Sequence, residues 1–156
     1  MIFSFLPLKN TRDYMLNPKR TQYRKYQKGR LKGVKPNTSF LEFGKYGIKS
    51  LESGRIKART IEAVRRVMTR KFKRIGQIWI RVFPSIPITN KPAEVRMGKG
   101  KGSVSYWVCG IQKGEILYEM DGIPFQLALS GSELASHKLP LKIEFIHIEG
   151  IMGFSR

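Results

Sequence analysis

One cysteine, two histidines and eleven acidic residues are spread through 156 positions, and each scarcity excludes a class of chemistry. Cys109 alone can form neither an intramolecular disulfide nor a multi-cysteine zinc site. Set beside Tyr106-Trp107-Val108, it reads as a buried core residue. His137 and His147 are separated by Pro140 and fall in no metal-ligand or acid–base motif, which argues against metal or acid–base work. Glu115, Glu119 and Asp121 share strand spacing and read as solvated hairpin charges. No apolar run approaches the ~20 residues of a membrane span. Met1-Ile2-Phe3-Ser4-Phe5-Leu6 lacks the basic start and cleavage site of a secretory signal. Nucleotide-binding loops are missing too. No G-x-x-x-x-G-K-[ST] window exists, and Ser103 stands where the third glycine of G-x-G-x-x-G belongs. The sequence therefore points to no catalytic residue, no metal and no cofactor.

Cations fill the space that these absences leave. The formal net charge is +19, a charge that repels itself and calls for a polyanionic partner. Residues 1–101 carry 26 Lys/Arg against 5 Asp/Glu, whereas residues 102–156 carry 4 against 6. One part of the chain is built to bind and the other to pack. At 41% hydrophobic, the whole can bury a single core.

The binding part has three features. Within residues 15–39, Lys19, Arg20, Arg24, Lys25, Lys28, Arg30, Lys32 and Lys35 are interleaved with Tyr23 and Tyr26. Such an arm cannot bury enough apolar area to fold alone, and its aromatics can stack on unpaired bases. Ile61, Val64, Met68, Phe72 and Ile75 recur at three- and four-residue steps, predicting a helix over 59–75 that ends at Gly76. Arg59, Arg66, Arg70, Lys73 and Arg74 lie away from that stripe, and Glu62 can support Arg66 at i,i+4. The third feature is Arg96-Met97-Gly98-Lys99-Gly100-Lys101-Gly102. Its glycines permit positive φ and close backbone approach, and the cations between them suit phosphate.

Strands are expected at 77–83, 103–111 and 115–121, the last two joined as a hairpin through Gln112-Lys113-Gly114. A second helix is expected over 124–138, weakened by Gly131 and its serines, then a strand over 141–148. The class is α+β.

A run of motifs then resembles the bacterial-type large-subunit ribosomal protein L sixteen family. They are Met15-Leu16-Asn17-Pro18-Lys19-Arg20-Thr21, Lys28-Gly29-Arg30, Phe43-Gly44, Gly54-Arg55, Ile61-Glu62-Ala63, Ile78-Trp79-Ile80-Arg81-Val82-Phe83-Pro84, Pro87-Ile88-Thr89, Lys91-Pro92, Val95 to Gly102 and Leu117-Tyr118-Glu119-Met120-Asp121-Gly122. All of them in order, from Met15 to Ile146, are specific where each alone is weak.

The resemblance implies an α/β-hammerhead-like mixed sheet with two helices, a basic extended N-terminal arm and a Gly/Lys loop. It implies a structural constituent of the large ribosomal subunit, bound to rRNA near the peptidyl transferase centre and the tRNA entry side, with no enzymatic activity. Such a constituent would support subunit assembly and aminoacyl-tRNA positioning. On this chain the rRNA contacts would be Lys19, Arg20, Arg24, Lys25, Lys28, Arg30, Arg55, Arg59, Arg66, Arg70, Lys73, Arg74 and Arg81. Arg96, Met97, Gly98, Lys99, Gly100, Lys101 and Gly102 would form the loop nearest the tRNA acceptor arm. Partners would be large-subunit rRNA, the tRNA acceptor arm transiently and neighbouring ribosomal proteins, with no membrane span and no homo-oligomer. Tyr46-Gly47-Ile48-Lys49-Ser50 is similar to organelle-encoded versions and favours a mitochondrial ribosome over a plastid or bacterial one.

The expected organisation is a leader at 1–14, the rRNA-binding arm at 15–39, one α+β domain at 40–148 and a tail at 149–156. Translation could instead begin at Met15. Lys57 stands where the family usually has threonine, so the first helix loses a hydroxyl N-cap. Two other readings stay open on charge and loop alone: a general nucleic-acid-binding module and a phosphoryl-transfer enzyme.

Overall fold

The computed structural model describes residues 16–31, 33 and 40–148; the expected leader, the rest of the arm and the tail lie outside them. Residues 16–31 run without a helix or strand. The elements that follow are β1 (Tyr46–Ser50), β2 (Gly54–Lys57), α1 (Ala58–Lys71), β3 (Gln77–Ile80), β4 (Ile86–Asn90), β5 (Ser103–Ile111), β6 (Ile116–Asp121), α2 (Phe125–Ser136) and β7 (Ile143–His147). The expected α+β class holds. Its strands form two sheets, ordered β3-β6-β1-β7 and β2-β5-β4, and every pairing is antiparallel among the described residues.

The expected hairpin between β5 and β6 is corrected. The turn after β5 passes the chain from one sheet to the other, so β5 pairs with β2 and β4 while β6 pairs with β1 and β3. The Gln112 amide bonds Glu115 Oε2 at 2.9 Å, and the Glu115 amide returns to the Gln112 carbonyl at 3.2 Å. This turn is tight, but the strands it joins diverge.

Both sheets and both helices share one core. Ile61, Val64, Met68 and Phe72 of the expected stripe are buried, while Ile75 is 57% exposed. The helix stops at Lys71, and Lys73, Arg74 and Gly76 take positive φ, which turns Ile75 off the stripe. Gly131 faces the Phe72 ring; a Cβ there would lie 2.4 Å from Phe72 Cε1. The residue that weakens the second helix in isolation thus lets the two helices approach. As expected, Lys57 caps α1 without a side-chain hydrogen bond; its Nζ lies 5.1 Å from the centroid of the Tyr106 ring instead. Cys109 is buried. Among the described residues no helix is long and apolar enough to cross a membrane.

Candidate nucleic-acid interface

The Gly/Lys loop is the tip of a hairpin. β4 and β5 pair from Ile86↔Val108 to Asn90↔Ser103, and residues 91–102 close the end. Anchoring a loop on a paired strand is how a fold positions binding groups without burying them. Gly98, Lys99 and Gly100 have φ of 96°, 54° and 82°. Nothing lies within 4 Å of a Cβ built on Gly98 or Gly100, so conformation and not space requires glycine there. Met97 is fully exposed, as are Arg96 and Lys99 in large part. Lys91 Nζ donates back to the Gly98 carbonyl and braces the tip.

The arm meets this loop. Lys25 Nζ donates to the Lys101 carbonyl at 2.8 Å, and Lys101 Nζ donates to the Tyr26 carbonyl. Lys101 thus joins two basic segments as well as carrying charge. Lys19, Arg20, Arg24, Lys25, Lys28 and Arg30 are all exposed. Tyr23 and Tyr26 stand exposed beside them, their rings edge-to-face at 6.4 Å. Cations and exposed aromatics on one strip match what single-stranded nucleic acid recognises.

On α1, Arg59, Arg66 and Arg70 are exposed, while Lys73 and Arg74 sit in the turn beyond its end. Part of this face is engaged internally. The expected Glu62–Arg66 pair is present, Arg66 Nε lying 2.9 Å from Glu62 Oε1. Arg65 adds a two-pronged contact to the same carboxylate at 2.9 and 2.8 Å. Burial pushes the Glu62 carboxyl up, but the bonds and charges of Arg65 and Arg66 outweigh it and hold the group below its ordinary value. Beneath it, Tyr118 Oη donates to the Ile61 carbonyl at 2.9 Å. Burial, helped by Glu62, raises the Tyr118 phenol far above its ordinary value, so it remains neutral.

Arg81 differs from the other candidate contacts. Its side chain is 16% exposed and pairs with Glu119 and with Glu42, the latter at 3.1 Å. Its guanidinium also lies 5.0 Å from the centroid of the Phe43 ring. Glu119 is 0% exposed, which corrects its reading as a solvated hairpin charge. Its Oε2 accepts the amides of Glu42, Phe43 and Gly44 at 3.1, 2.6 and 3.0 Å. Arg81 and Glu119 hold the 42–44 loop against the sheet. The sign was present in Ile116 to Met120, where Glu119 is the one charge in an apolar strand. Among the described residues no three His, Cys, Asp or Glu side chains could share a metal ion.

Residues 18–146 match the family model described as ribosomal protein L16p/L10e. Large ribosomal subunit protein uL16m of Prototheca wickerhamii is 61% identical over 132 residues, which covers 85% of this chain and 98% of that protein. The protein of the same name from Marchantia polymorpha is 58% identical over 131 residues, 84% of this chain and 97% of its own. With the exposed basic arm and glycine–lysine loop already in place, these matches show that the chain belongs to the ribosomal protein L16p/L10e family.

Proposed function

We propose that this chain works as a structural, non-enzymatic constituent of the mitochondrial large ribosomal subunit, with its arm and 91–102 loop forming one RNA-facing surface. The family and the uL16m relatives support the role and the compartment. Partners are rRNA and the other proteins of that subunit. The observation that carries the RNA reading is the pair of bonds from Lys25 Nζ to the Lys101 carbonyl and from Lys101 Nζ to the Tyr26 carbonyl, which joins the basic arm to the basic loop.

Lys19, Arg20, Arg24, Lys28 and Arg30 then grip rRNA from the arm, and Arg59, Arg70, Lys73 and Arg74 supply further phosphate contacts. Arg96 and Lys99 at the loop tip lie nearest the tRNA acceptor arm. Arg81 is withdrawn from the contact set because its charge is spent on Glu119 and Glu42.

Salt-dependent binding tests this. Neutralising Lys19, Arg20 and Arg24 with glutamine should lower the slope of log affinity against log salt by roughly two, at ~0.7 per contact on single strands. An unchanged slope would remove the arm from the interface. Lys99→Ala should slow aminoacyl-tRNA accommodation on assembled ribosomes while leaving the protein's melting temperature alone. A lower melting temperature with normal accommodation would make the loop a structural element.

A further inference from the structure

Two short motifs far apart in sequence, Lys28-Gly29-Arg30 of the arm and Gly54-Arg55 of β2, meet in space. Arg55 Nη2 donates to the Lys28 carbonyl at 2.6 Å and to the Gly29 carbonyl at 2.9 Å. Gly29 has φ 60° with open space around its missing Cβ, so it serves to turn two successive carbonyls toward one guanidinium. Arg55 Nε is buried and without a hydrogen-bond partner. This arginine is closed against the protein on one edge and committed to the arm on the other.

The neighbouring strand completes the seat. Arg55 pairs across β2 and β5 with Gly110, and a Cβ on Gly110 would lie 2.8 Å from Leu31 Cδ2. A leucine of the arm therefore rests where β5 has no side chain. Strand alternation puts Arg55, Gly110 and Val108 on the face opposite Ile56, Cys109 and Ile111 of the core. Val108 is only 3% exposed although it lies outside that core. With Lys25 and Tyr26 at Lys101, and Leu31 at Gly110, the arm is held near both ends of β5.

We propose that Arg55 is a positioning residue, a latch that docks the basic arm on the outer face of the β2-β5-β4 sheet before RNA is bound. It is not a phosphate contact. Arm and loop are then presented to RNA as one preorganised surface, which reduces the ordering cost of binding. The consequence for RNA rests on the function proposed above; the docking itself does not.

Limited trypsin digestion of the full chain without RNA, followed by mass spectrometry, reads the docking directly. Arg55→Met and Arg55→Lys should both accelerate cleavage after Lys28 by about tenfold relative to cleavage elsewhere, because a charge-assisted bond to each carbonyl is weakened or lost. Lysine keeps the charge but not the fork. Leu31→Ala should accelerate the same cleavage without touching Arg55, so a misfolded Arg55 variant would not spare the proposal. Wild-type cleavage rates in the Arg55 variants, or in the Leu31 variant should those misfold, would overturn it. RNA titration adds a second discriminant. A latch makes both Arg55 variants lose affinity alike with the salt slope unchanged. Retention by Arg55→Lys, with a slope lower by about one in Arg55→Met, would make Arg55 a phosphate contact and overturn the latch. Absence of RNA binding in the wild type would defeat the functional reading while leaving the digestion result standing.

Discussion

Glu119→Gln should be among the most damaging single-atom-scale changes in this protein. The substitution keeps the volume, so no cavity is made; only charge and one acceptor are lost. The wild-type carboxylate is fully buried, accepts three backbone amides and pairs with Arg81. Counting each charged hydrogen bond at ~1.5–3 kcal/mol would overshoot, because the loop can partly rehydrate. The Glu42 side chain and Phe43 as a whole are about half exposed, and both amide bonds are only part-buried. The Gly44 amide and the Arg81 guanidinium have less recourse. Breaking a buried pair at one end costs ~3–5 kcal/mol, and we expect a loss in that range. With a urea m-value of about 2 kcal/mol/M, the unfolding midpoint should fall by roughly 2 M. The double variant Arg81→Met/Glu119→Gln should lose less than the sum of the two single losses, because each removes the same pair. A loss under ~1 kcal/mol in Glu119→Gln, or strict additivity in the cycle, would refute the tether.

Three further outcomes are open to direct measurement. Gly131→Ala gains ~1 kcal/mol of helix propensity but drives a Cβ into the buried Phe72 ring, where overpacking costs ~1–3 kcal/mol. Thermal melts should show a net loss that Phe72→Leu partly restores, and a stabilised Gly131→Ala would sink this account. Lys57→Thr places a hydroxyl at an extended N-cap (φ −72°, ψ 146°) that has no side-chain bond. It should stabilise by about 0.5 kcal/mol, the ~1 kcal/mol of a cap less the ~0.5 kcal/mol cation–π contact with Tyr106. Calorimetry should find a melting temperature 1–2 °C higher, on the order expected for a chain of this size. Glu62 has its folded pKa depressed by Arg65 and Arg66 against the pull of burial. Its stabilisation is therefore present above the ordinary carboxylate pKa and lost as pH falls through the folded value. Glu62→Gln should cost at most ~1 kcal/mol at pH 7, since both arginines reach solvent, and the gap to wild type should close in acid. A pH-independent gap would assign the loss to packing.

Much of this protein is legible along the chain because its signals are local. The stripe from Ile61 to Phe72, the cation runs, the glycines at 98 and 100 and the ordered motifs from Met15 to Ile146 each depend on neighbours within a few residues. Helix, polyanion binding and family follow from them. The helix end was overestimated because Lys73 and Arg74 adopt positive φ, a backbone choice that their side chains do not announce. What the tertiary structure alone decided is partnership across sequence distance. The turn after β5 looks like a hairpin locally, yet its strands join different sheets because β2 and β4 occupy both edges of β5. Gly131 looks like a weak helix residue until Phe72 lies against it. Arg55 and Arg81 look like two more cations for RNA, but one holds Lys28 and Gly29 and the other Glu119 and Glu42. Charge is a property of the side chain, whereas its availability to a ligand depends on which carbonyls and carboxylates folding brings within reach.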